Sequence, residues 1–143
     1  MTPLDLGWRD ELNAHLPQSP DESLGRVAIE HRTGYAVYTD AGELTAEVSG
    51  KLRHDAERGL PPGLPAVGDW VSLRTRPGED RATIQAVLPR HSLFARKTAG
   101  RRTVAQVIAA NVDVVFLVSA LGPDLNPRRI ERYLTLAFES GAG

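Results

Sequence analysis

The sequence predicts a mainly β fold: a five-stranded OB-type barrel followed by the first β–α unit of an incomplete α/β domain. Three observations carry this. Between Gly25 and about Leu88, apolar residues recur at every second position in short runs separated by turn residues, the pattern of strands with one buried face. From Val114 to Val118 every residue is apolar and three of the five are valine, as in a strand covered on both faces. Asn126-Pro127 then opens a run in which Ile130, Tyr133, Leu134, Ala137 and Phe138 share one helical face, with Gly141 placed to end it.

Taken in order, Trp8, Leu12 and Leu16 predict a short helical lead that Pro17 ends. It buries too little to stand alone. Val27 and Ile29 form the inner face of the first strand, and Tyr35 and Val37 that of the second. The third strand runs from Glu43 to Arg53, with Leu44, Ala46, Val48 and Leu52 inward and Gly50 at a bulge or bend. Pro61, Pro62 and Pro65 rule out a regular strand between His54 and Ala66. Val71 and Leu73 define the fourth strand, and Ala82, Ile84, Ala86 and Leu88 the fifth. Five short strands with one long connection between the third and fourth fit an OB-type barrel, with an SH3-like barrel as the competing architecture.

Composition narrows the function classes. Charged residues make up 24% and hydrophobic ones 41% of 143 residues, ordinary for a globular chain. No apolar run is long enough for a helix to span a bilayer, and residues 1–5 lack the basic and apolar regions of a secretory signal. The absence of cysteine removes disulfides and thiolate metal sites together. His15, His31, His54 and His91 show no metal-ligand spacing. A cytoplasmic location is expected, with no membrane partner.

The formal charge is −1, but it is unevenly spread. Residues 1–23 carry one base against five acids, a formal −4. Residues 89–103 carry Arg90, Arg96, Lys97, Arg101 and Arg102 with no acid, a formal +5. Such a block suits a phosphate backbone or a solvated linker. Trp70 lies on the polar side of its strand, so with Tyr38, and with Arg32 or Arg74 nearby, it could stack bases; alternatively it covers one end of the barrel or packs under the N-terminal helix. Gly50-Lys51 is not read as the end of a phosphate loop. Thr45 stands where that motif needs Gly, Leu52 where it needs Ser or Thr, and the segment alternates as a strand. Asp113 has no second carboxylate or histidine at catalytic spacing, so no catalytic residue, nucleotide site or metal site is assigned.

In order along the chain stand Gly25-Arg26-Val27, Val48-Ser49-Gly50-Lys51-Leu52, Gly68-Asp69-Trp70-Val71, Val87-Leu88-Pro89-Arg90, Ala109-Ala110-Asn111-Val112-Asp113 and Glu131-Arg132-Tyr133-Leu134. With these the sequence resembles the bacterial ribosome small-subunit-dependent GTPases, circularly permuted GTPases that act late in small-subunit assembly. The resemblance implies an OB domain, then a GTPase domain with rotated motif order, then a zinc-binding domain. It implies a helical lead at 1–22, the OB domain at 23–92, a basic linker at 93–103 and the start of the GTPase domain at 104–143. It also implies that this chain is the N-terminal piece of a longer protein. None of the family's nucleotide or metal residues falls on these positions, so GTP, magnesium and zinc are implied only for the full-length protein. That protein would drive water onto the γ-phosphate of GTP, and this chain alone is expected to be inactive. The partners implied are the small ribosomal subunit and its rRNA, and the exposed apolar β–α unit could also self-associate. A non-enzymatic OB-type RNA-binding protein is the alternative.

Overall fold

The computed structural model describes residues 4–75, 78–97, 105–123 and 125–142, in two compact units, Met1–Pro89 and Arg90–Gly143. The first unit holds two short 3-10 helices, Leu4–Leu6 and Asp10–His15, then β1 (Glu22–His31), β2 (Gly34–Thr39), β3 (Gly42–Val48), α1 (Gly50–Glu57), β4 (Trp70–Thr75) and β5 (Arg81–Val87). The second holds β6 (Leu93–Lys97), β7 (Ala105–Ala110) and α2 (Pro127–Ser140).

The five strands of the first unit close into a barrel in the order β1-β2-β3-β5-β4, the expected architecture. Its pairs are antiparallel except β3 with β5, which run parallel. Val27, Val37, Val71, Leu73 and Ile84 fill the interior and are essentially solvent-free. Each such side chain stabilises the fold by about 1.5–3 kcal/mol relative to exposure. Gly25 sits where β1 is shared between β2 and β4. A Cβ there would lie 2.3 Å from Val37 Cγ1 and 3.0 Å from the Tyr38 carbonyl oxygen, so only glycine lets the strands approach this closely.

Two bulges change which residues face inward. The β1–β2 register shifts between Val27 and Ile29, and Ile29, expected beside Val27, is exposed. The β4–β5 register shifts between Ser72 and Leu73, and Ala86, expected inside, is exposed. An extra residue in one strand reverses every face beyond it, which strict alternation cannot register.

The third strand ends earlier than expected. Ser49 accepts a hydrogen bond from the Leu52 amide at 3.2 Å and caps α1, so residues 50–53 are helical. Leu52 is buried in the barrel core all the same. Its inward position satisfies both periodicities, and the cap decides between them. The connection from α1 to β4 is pinned by Asp69, which is fully buried. Its Oδ2 accepts the Ala66 amide at 2.8 Å. Its carbonyl accepts the Val27 amide, and the Gly68 amide donates to the Val27 carbonyl, both at 2.8 Å.

In the second unit, β6 pairs antiparallel with β7. Leu93–Lys97 is therefore a strand and not part of a linker; the remainder of the expected linker, 98–103, lies outside the described residues. Val114–Val118, expected to be the buried strand, forms no ladder. Phe116 and Val118 are 86% and 93% exposed. A strand buried on both faces needs partners along both edges, and among the described residues none pairs with this segment. The helix that follows is as expected. Asn126 Oδ1 accepts from the Arg129 amide at 3.2 Å, Pro127 takes the first turn and Gly141 closes it in the left-handed region at φ 82°.

Candidate nucleic-acid interface

Trp70 does not face solvent as base stacking would require. It is 2% exposed and packs edge-on against Trp8, ring centroids 4.8 Å apart at 89°. Leu12 and Leu88 complete this second small core, with Leu6 and Leu24 against it. The Trp8 indole donates to Asn13 Oδ1 at 2.9 Å, and Arg26 holds the lead by donating to the carbonyls of Leu6 and Gly68. The alternation within β4 placed Trp70 outward correctly. The N-terminal lead then covers that outer face, a long-range packing that no local period encodes. Trp70 therefore offers no ring to a base, and the covering role is the one found.

The remaining barrel candidates, Arg32 and Arg74, are exposed. Arg32 stands in the β1–β2 turn. Arg74 Nε lies 3.3 Å from Asp21 Oδ2. The Asp21 carboxyl is held below its ordinary range, chiefly by the Ser19 hydroxyl that donates to it at 2.8 Å. No aromatic among the described residues of the first unit is exposed: Tyr35 and Trp70 are buried, Trp8 and Tyr38 half-buried.

The basic block falls in the second unit. Arg90 precedes β6, and Arg96 and Lys97 end it, register partners of Gln106 and Ala105. Arg96 is exposed, with its guanidinium 3.5 Å from Gln106 Oε1. Arg101 and Arg102 lie outside the described residues. The ribbon's opposite end is closed by side chains. Asn111 adopts φ 54°, a left-handed conformation that Asn tolerates. Its Oδ1 accepts the His91 amide at 3.0 Å. Ser92 Oγ donates to the Val112 carbonyl at 2.8 Å, and His91 Nε2 lies 3.1 Å from Asp113 Oδ1. Asp113 thus pairs with a histidine that the sequence did not connect to it. Because Ser92 Oγ is engaged with a backbone carbonyl, the four side chains form a structural clasp and present no nucleophile.

Arg128, Arg129 and Arg132, all exposed on α2, carry no motif or spacing that singles them out in the sequence. Charge counted by unit would have found them. The first unit carries nine Lys/Arg against fourteen Asp/Glu, a formal −5, and the second eight against four, a formal +4.

Gly50-Lys51 does open a helix, contrary to the strand expected there, but it makes no phosphate loop. Thr45 lies within β3, and Leu52 is a core residue where a hydroxyl would have to reach magnesium. Among the described residues no group of three or more His, Asp or Glu could hold a metal ion.

Comparison with known proteins places these features. Residues 87–143 match the family model described as RsgA GTPase. Over 97% of its length the chain is 42% identical to small ribosomal subunit biogenesis GTPase RsgA 2 of Lactiplantibacillus plantarum, of which it covers 38%. Over 99% of its length it is 44% identical to the RsgA of Opitutus terrae, of which it covers 41%. The chain thus spans well under half the length of these relatives. Among solved structures, YjeQ from Thermotoga maritima superposes with a TM-score of 0.58 at 24% identity, over 85% of this chain and 38% of that one. YloQ, titled a circularly permuted GTPase, superposes with 0.58 at 18% identity, over 87% and 39%. At those identities the two structures speak for the fold.

Proposed function

From a chain related over nearly its whole length to the RsgA GTPases, we propose that it is the N-terminal, RNA-contacting portion of a GTPase that matures the small ribosomal subunit. The observation that carries this is the sequence relation itself, which extends through both units and includes the match at residues 87–143. The barrel is read as the OB domain of such a protein, and the second unit as the opening of its circularly permuted GTPase domain. Arg90, Arg96, Lys97, Arg101 and Arg102 supply cations to rRNA. Each phosphate neutralised releases condensed counterions, so affinity falls steeply with salt. The full-length protein hydrolyses GTP with magnesium in the cytoplasm. The part of this chain in that reaction is attachment to the particle.

The test is co-sedimentation with purified small or large ribosomal subunits through a sucrose cushion. The chain is expected to pellet with small subunits and stay in solution with large ones. Equal recovery with both, or with neither, overturns the reading. Calorimetric titration with GTP and magnesium should show no saturable binding. A micromolar isotherm would mean that Gly50-Lys51 or another segment forms a phosphate cradle after all.

A further inference from the structure

The helix α2 has two faces of opposite character. Ile130, Tyr133, Leu134 and Ala137 recur at helical spacing on one of them. Arg128 and Arg132, four residues apart, form a strip on the other, and Arg129 flanks it. All three arginines are exposed. The strip points away from anything that packs on the apolar face, so it stays in solvent whatever covers that face. Among the described residues no carboxylate pairs with any of the three. The Arg132 guanidinium lies 5.6 Å from the centre of the Tyr133 ring, which holds it in place.

Helix stability does not account for this arrangement. Arg128 and Arg129 fall in the first turn of α2, which holds no acid. The free amides there concentrate positive partial charge, so a cation is disfavoured and an anion favoured. These two arginines therefore work against their own helix, and they gather positive charge in solvent beside its N-terminus. All three are arginine, whose planar fork gives two parallel N–H donors to one phosphate. Arg128 and Arg132 are about 6 Å apart along the helix axis, close enough to engage successive phosphates of one strand.

We propose that Arg128, Arg129 and Arg132 form a second phosphate-binding surface of this chain, additional to the basic block at 89–103, and that it takes the backbone of rRNA. The inference rests on the RNA reading above and adds a site to it. It leaves the exposed cations of the first unit, Arg32, Lys51, Arg53, Arg58 and Arg81, to contacts of their own.

The experiment is fluorescence anisotropy of the whole chain with a dye-labelled small-subunit rRNA hairpin, over roughly 50–200 mM salt. Wild type is compared with Arg96→Ala and with a triple variant, Arg128→Gln, Arg129→Gln and Arg132→Gln. Each lost phosphate contact removes about 0.7–0.9 from the slope of log affinity against log salt. The triple variant should flatten the slope by about two units and Arg96→Ala by about one. Without RNA the triple variant should melt at or above the wild-type temperature, because glutamine removes cations from the positive end of the helix. A wild-type slope in the triple variant overturns the inference and leaves the RNA reading intact. A melt well below wild type also overturns it, by assigning the arginines to the fold. A triple variant that keeps the rRNA slope but loses binding to a labelled polyglutamate peptide overturns it in favour of an acidic protein partner. A wild-type chain with no salt-dependent binding removes the RNA reading itself, and this inference with it.

Discussion

In the barrel every strand has two hydrogen-bonded neighbours, and Val37, Val71, Leu73 and Ile84 are wholly buried. Among the described residues the second unit has a two-stranded ribbon and a helix, and Phe116, Val118 and Phe138 are each more than 80% exposed. The two differ in apolar patterning, alternating in the barrel and continuous at Val114–Val118, and in what that patterning achieves. A closed sheet supplies its own partners, so a sequence of half-apolar strands completes itself. A fully apolar run specifies a strand only together with neighbours on each side. The pattern in Val114–Val118 therefore states a demand that the described residues do not meet.

The largest expected effect breaks that comparison at its core. Leu73→Ala in the barrel should cost about 2–5 kcal/mol, from lost transfer energy and the cavity left behind. Val118→Ala, at a side chain already in solvent, should stay within about 0.5 kcal/mol. Denaturant midpoints at constant m-value measure both. Similar losses at the two sites would mean that Val118 is packed in solution.

Gly25→Ala comes next. Its methyl would fall 2.3 Å from Val37 Cγ1 and 3.0 Å from a backbone oxygen, so the strands must part, at about 1–3 kcal/mol. The open site at Gly50, where nothing lies within 4 Å, is the control. Gly50→Ala should be neutral or slightly stabilising, because alanine is the better helix former. A destabilised Gly50→Ala alongside a tolerated Gly25→Ala would reverse the account of both.

The smallest effect is one of pH. Burial raises the Tyr35 phenol above its ordinary value, with Glu30 adding to the shift. The folded state thus favours the protonated form. Its contribution is intact below about pH 10, the unfolded value, and is lost as pH rises through the higher folded one. Thermal melts across that window should show wild type losing more stability than Tyr35→Phe. Parallel losses would show that this group is not responsible.

How much of this was legible follows from where each signal resides. Asn126-Pro127 and Gly141 act within one helical turn, and α2 appeared where they placed it. The core-forming residues Val27, Tyr35, Val37, Leu44, Ala46, Val71, Leu73, Ala82 and Ile84 were likewise readable, since alternation is local. Ile29 and Ala86 were not, because a bulge is a property of a pair of strands and alternation describes only one. Trp70 failed for a related reason: its cover comes from Trp8 and Leu12, far away in the chain. Ser49 was a readable cap that continuous alternation overshadowed. At the interface, the basic block was visible as composition. The acidic balance of the first unit emerged only when charge was assigned to units, and the engagement of Arg26 and Arg74 only from their long-range partners.

The contrast between a self-completed barrel and a second unit whose apolar segment lacks a ladder is tested most directly by hydrogen exchange followed amide by amide. The amides of Val37, Val71, Leu73 and Ile84 should exchange only through global unfolding, and those of Val115 and Leu117 at close to the rates of an unstructured peptide. Protection of Val115 and Leu117 equal to that of the barrel strands, in a chain shown by sedimentation to be monomeric, would contradict the account.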